Sequence, residues 1–204
     1  MRRAARHTLL CTAVATAALV LTACSDSPPA SNPPAPNVPT AAPPTTTAAA
    51  LPKSERGLTI KQVGQPAGWT TADGSTQEVT FVIDKITVDP KCEASYSQKP
   101  ENGHFVRVDI RAETTTAMET NAGYAISPSE WAVVGPDGVT ESSVASGPSF
   151  SCLRSSDMFP TDPLTPASKY RGSIVLDTRS TSGTLTFRPG FFGGSGGWEW
   201  RFGA

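Results

Sequence analysis

The residues able to do chemistry are few and widely spaced. Beyond residue 7 the chain has one histidine, His104, at a turn-to-strand position. A Ser-His-Asp relay needs an imidazole held between nucleophile and acid, and no strand–turn–helix elbow presents a serine to it. Asp84, Asp89 and Asp109 are the carboxylates that acid/base or glycosidase chemistry would recruit. Their positions read more simply as strand-face or turn residues in water. Calcium chemistry lacks its D-x-[DN]-x-[DN]-G loop. Gly193-Gly194-Ser195-Gly196-Gly197 carries no lysine and precedes no helix, so it reads as a flexible loop and not a phosphate cradle. Cys92 and Cys152 have no histidine or further cysteine at ligand spacing, so no metal site is expected. No catalytic residue, metal or cofactor follows from these patterns.

The first 24 residues carry a different chemistry. Arg2, Arg3 and Arg6 form a basic start, and residues 8–20 form an apolar run. That run is too short to span a bilayer core, which takes about 20 helical residues. Leu21-Thr22-Ala23-Cys24 follows at once, with small residues where a signal peptidase needs them. The pattern resembles the lipobox of bacterial lipoproteins. The resemblance implies a diacylglyceryl group on the Cys24 thiol, cleavage after Ala23, and residues 1–23 as the signal peptide. Two acyl chains suffice for stable anchoring where one does not.

Residues 24–52 read as the lipidated cysteine and its tether. Positions 25–52 hold nine Pro, seven Ala, four Thr and three Ser, with Asp26 the only charge. Such a segment cannot bury enough apolar area to offset its ordering entropy, and disorder is expected. Proline biases it towards extended polyproline II, with a reach of roughly 85 Å at full extension. Thr45-Thr46-Thr47 beside Pro43-Pro44 could take O-linked sugars or remain an unmodified spacer.

The remaining stretch, 53–204, is long enough for one ordinary core. Without Arg2, Arg3, Arg6 and Asp26 it holds 14 basic against 17 acidic residues. That balance excludes a strongly basic nucleic-acid binder, which needs a positive patch to displace counterions. Period-2 alternation dominates. In 104–113, Val106, Val108, Ile110 and Ala112 alternate with Phe105, Arg107, Asp109 and Arg111, as a half-buried strand requires. In 78–88 the apolar parity slips at Asp84-Lys85, which predicts a β-bulge. Further strands are expected at 58–63, 130–134, 170–176, 183–188 and 197–202, with a tight turn at Gly135-Pro136-Asp137-Gly138. Seven or eight short strands with polar turns predict an all-β, antiparallel sandwich.

Gly103-His104-Phe105-Val106-Arg107-Val108-Asp109-Ile110 resembles the G-x-F-V-x-V-x-V strand of a family of immunoglobulin-like bacterial domains of unknown function, found in lipoproteins and secreted antigens of actinobacteria. An aromatic-led strand ending in a D-G turn (Trp131 to Gly138) is also similar to that family. So is Gly172-Ser173-Ile174-Val175-Leu176-Asp177, and the likeness spans roughly 78–188. Glu113-Thr114-Thr115-Thr116 departs from the family's usual Asn-Thr-Gly-like turn. The resemblance implies an immunoglobulin-like sandwich and no particular activity.

Cys11 leaves with the signal and Cys24 takes the lipid, so Cys92 and Cys152 remain to form a disulfide in an oxidising compartment. Near the C-terminus, Phe191 and Phe192 lead the glycine loop, and Trp198, Trp200 and Phe202 share one face of the last strand. The last three read as core. The adjacent phenylalanines read either as a binding loop or as an end-plug of the core. The resulting expectation is a lipid-anchored, extracytoplasmic, non-catalytic module on the outer face of the bacterial cytoplasmic membrane. Its partner would be an envelope protein, a glycan or a small apolar ligand, and never nucleic acid. The alternative is an envelope-associated hydrolase.

Overall fold

A computed structural model describes residues 51–190 and 196–203. The signal segment, Cys24, most of the tether, and Phe191 and Phe192 lie outside the described residues. Among these residues nine strands form in chain order: β1 (Thr59–Lys61), β2 (Pro66–Thr70), β3 (Gln77–Val88), β4 (His104–Thr114), β5 (Trp131–Val134), β6 (Thr140–Glu141), β7 (Lys169–Thr178), β8 (Gly183–Phe187) and β9 (Trp198–Phe202). Among the described residues one short α-helix, α1 (Gly147–Ser151), stands between β6 and β7, with single 3-10 turns at Pro128–Glu130 and Ser155–Asp157. The strands make two sheets, ordered β1-β9-β8-β5-β6 and β2-β3-β4-β7, packed as an all-β, immunoglobulin-like sandwich.

The alternation in β4 decides which face is core. Val106, Val108, Ile110 and Ala112 are buried between the sheets, and Arg107, Asp109 and Arg111 face outward. The bulge lies where the parity slip predicts it: Ile83 pairs with Ile110, Lys85 with Asp109 and Ile86 with Val108. The inserted residue, Asp84, is thereby turned to the outer face, where Arg111 meets it at 2.8 Å. The Gly135–Gly138 turn also forms, with Gly138 at a φ of +81° that favours glycine.

The core is aromatic. Trp69 and Phe81 from one sheet meet Trp198 from the other edge-on, at centroid distances of 5.6 and 5.2 Å. Trp131 stacks on Phe187 at 4.8 Å. Such pairs contribute about 0.5–1.5 kcal/mol each beyond simple burial. Trp198, Trp200 and Phe202 all point into this core, as their shared face predicts.

Three features were not expected. Strand β2 contains Pro66 and Gly68, poor strand formers that are tolerated at the edge of a sheet. β1 pairs with β9 in parallel, in an otherwise antiparallel fold. Glu199, on the face of β9 opposite the tryptophans, is buried because Arg56 covers it with two bonds of 3.0 and 3.1 Å and Ser54 adds a third. The first described residues are thus clamped to the last strand.

A disulfide-held charged groove as the candidate functional site

The outward positions of β3, β4 and β7 place Asp84, Arg107, Asp109, Arg111, Arg171 and Ser173 on one sheet face. A shelf of chain, residues 147–159, lies across part of that face. Its helix α1 starts at Ser146, whose hydroxyl accepts the Ser149 N–H at 3.2 Å, and Pro148 suits the first turn. Cys152 and Leu153 then bury against Phe105 and Val175.

The shelf is fastened at its middle and at its far end. Cys92 and Cys152 form a disulfide with Cα atoms 4.5 Å apart, and the Glu93 N–H donates to the Cys152 carbonyl at 2.8 Å. At the far end the Phe159 N–H donates to the Ser173 carbonyl at 2.9 Å, after which the Phe159 ring enters the main core. Gly172 permits this close approach: a Cβ there would lie 2.5 Å from the Phe159 nitrogen.

Between shelf and sheet runs a groove of about 620 Å³. Its charges form a chain. Asp109 accepts from Arg107 at 2.7 Å and from Ser173 at 2.6 Å. Arg107 reaches Glu93 at 3.6 Å, Glu93 meets Arg154 at 3.3 Å, and Arg154 meets Asp157 at 2.7 Å. Arg154 holds the Asp157 carboxyl below the usual carboxylate range, chiefly through that hydrogen bond. Among the described residues Arg171 is the arginine lining this groove without a carboxylate partner, and it is exposed.

Of the three aspartates that acid/base chemistry would recruit, Asp84 and Asp109 line this groove and Asp89 does not. Asp84 pairs with Arg111, Asp109 with Arg107, and Asp89 with His104. His104 Nδ1 lies 3.0 Å from Asp89 with both side chains substantially exposed, and no hydroxyl or thiol hydrogen-bonds to its ring among the described residues. Asp89 itself takes a positive φ of 48° in the turn that precedes the disulfide loop. Among the described residues, no group of three or more His, Cys, Asp or Glu side chains could hold a metal ion.

Cys24, Phe191 and Phe192 lie outside the described residues. Arg107, Glu93, Arg154, Asp157 and Arg171 line the groove. The outward charges of β4 signal half of the site. Nothing in the irregular 153–159 run signals the other half.

Fold and site together define a two-sheet β-sandwich with a disulfide-held, ion-paired groove on one outer face. No family model matches the chain, and a search of curated proteins finds no match. Among solved structures it is similar to MPT63, a secreted protein from Mycobacterium tuberculosis. The two are 11% identical with a TM-score of 0.43, over 70% of this chain and 95% of that one.

Proposed function

We propose that this chain is an exported lipoprotein, anchored through Cys24 to the outer face of the cytoplasmic membrane. Its sandwich serves as a non-catalytic recognition domain held away from the bilayer by the Pro-rich tether. The basic start, short apolar run and Leu-Thr-Ala-Cys box support the anchor. The Cys92–Cys152 disulfide fits an oxidising compartment outside the cytoplasm.

The observation that carries the recognition reading is the charged chain from Asp109 to Asp157. Its carboxylates are already paired with arginines, so the groove offers a pre-organised polar surface. The exposed guanidinium of Arg171 is left to bind an acidic group outside the protein. An envelope glycan or protein bearing carboxylates fits that chemistry.

Crosslinking in intact cells tests both parts. Cys24→Ala moves the protein from the membrane to the soluble fraction. Arg171→Glu leaves the melting temperature unchanged and reduces the crosslinked partner at least tenfold. Undiminished crosslinking by that variant rules out the groove, and unchanged membrane partition of Cys24→Ala rules out the anchor.

A further inference from the structure

A second cavity lies where an edge of one sheet faces an edge of the other. β1 is the edge of one sheet and β2 the edge of the other. The seam between them holds a groove of about 480 Å³. Its lining is half apolar: Leu51, Pro66, Ala67 and Trp198 are set against Lys53 and Lys61.

Lys61 is the unusual member. It is only 8% exposed, and its ammonium donates to the Pro66 carbonyl at 2.5 Å. No carboxylate pairs with it among the described residues. An ammonium has three N–H donors, and burying one without a counter-charge is costly. Burial also lowers the Lys61 pKa. Glu199, the buried carboxylate of the adjoining strand β9, lies opposite Ile60 and is bonded by Arg56 and Ser54. Among the described residues the two lysines of the seam therefore stand without a carboxylate partner, next to an apolar floor.

We propose that the seam binds an anionic amphiphile. Its carboxylate or phosphate head sits between Lys61 and Lys53, and its hydrocarbon lies along Trp198, Ala67, Pro66 and Leu51. An anion there supplies the counter-charge that Lys61 lacks. The apolar body covers Leu51, which is 49% exposed. Ligand sites commonly combine an apolar lining with a few placed polar groups in this way. The site is independent of the Arg171 groove and does not rest on that reading.

The test uses the full chain carrying Cys24→Ala in detergent-free buffer, titrated calorimetrically with dodecanoate, dodecyl phosphate, dodecanol and inorganic phosphate below micellar concentrations. Saturable one-to-one binding of dodecanoate or dodecyl phosphate, at least tenfold tighter than dodecanol or inorganic phosphate, is expected. Preference between the two anionic heads then distinguishes a fatty acid from a phosphorylated lipid. Lys61→Met preserves length and apolar packing and weakens binding at least tenfold. Lys53→Gln, at an exposed position, weakens it severalfold and keeps the idea testable should Lys61→Met fail to fold. Equal affinity for dodecanol and dodecanoate overturns the proposal. So does unaltered binding by both lysine variants, or no saturable binding of either anion.

Discussion

The Ser146 hydroxyl donates a 2.6 Å hydrogen bond to the Asp177 carboxylate, and Asp177 is completely buried. The same carboxylate accepts the backbone N–H groups of Glu101 and Asn102 at 2.8 and 2.9 Å. One side chain near the end of β7 therefore holds the start of α1 and the turn leading into β4. A carboxylate suits this position because it is acceptor-only and meets three donors.

Asp177→Asn turns an amide towards N–H groups that need acceptors. Leaving a buried donor unsatisfied costs about 1–3 kcal/mol. The expected result is a fall in melting temperature of about 4–8 °C, taking 2 kcal/mol as typical for a domain of this size. Ser146→Ala removes one of the three donors and costs less. Equal stability of Asp177→Asn and the parent, by thermal or denaturant unfolding, contradicts the latch.

Gly172→Ala drives a methyl group into the backbone of Met158 and Phe159, 2.5–2.6 Å away. The obstacle is main chain and cannot rotate aside, so the shelf must lift. Overpacking of this kind costs about 1–3 kcal/mol. Amide exchange should speed up at Phe159 while the centre of β4 stays protected. Uniform exchange changes across the domain would contradict a local release.

Removing the Cys92–Cys152 bridge frees a loop closed over a separation of 60 residues. The chain-entropy account gives a loss of about 4 kcal/mol. The double variant Cys92→Ala, Cys152→Ala is expected to melt well below the parent and to bind the groove partner more weakly, because Glu93 and Arg154 then lose their common anchor. Thiol labelling of the folded parent without reductant should find neither cysteine reactive.

Tyr124 donates to Glu78 at 2.6 Å. Burial, reinforced by that hydrogen bond and by the Glu78 charge, pushes its phenol up to about 12. The proton held in the folded state is lost from an unfolded tyrosine near pH 10. Stability from this pair is therefore complete below about pH 10 and disappears as pH rises through about 12. Phenolate absorbance should show one of the chain's three tyrosines titrating late. Glu78→Gln should bring it earlier, and simultaneous titration of all three tyrosines contradicts this account.

Local pattern alone determined much of the sandwich. The alternation of Val106, Val108, Ile110 and Ala112 with charged residues encodes both β4 and its buried face, because strand periodicity is a property of neighbours in the chain. The parity slip at Asp84-Lys85 encodes the bulge for the same reason, and the shared face of Trp198, Trp200 and Phe202 encodes their burial. Pairing of Cys92 with Cys152 followed from counting. Contacts between distant segments were decided only by tertiary structure. Pro66 and Gly68 form a strand because β3 lies beside them, against their own propensity. β1 runs parallel to β9 because the Arg56–Glu199 clamp and the strand register bring the two ends of the domain together. Residues 153–159 carry no periodicity, and their place over the sheet depends on a disulfide and on the bare Cα of Gly172. Nothing in the local pattern of the strand expected at 58–63 singles out Lys61. It becomes a buried cation only because two sheet edges close around it, and burial by distant chain leaves no mark on local pattern.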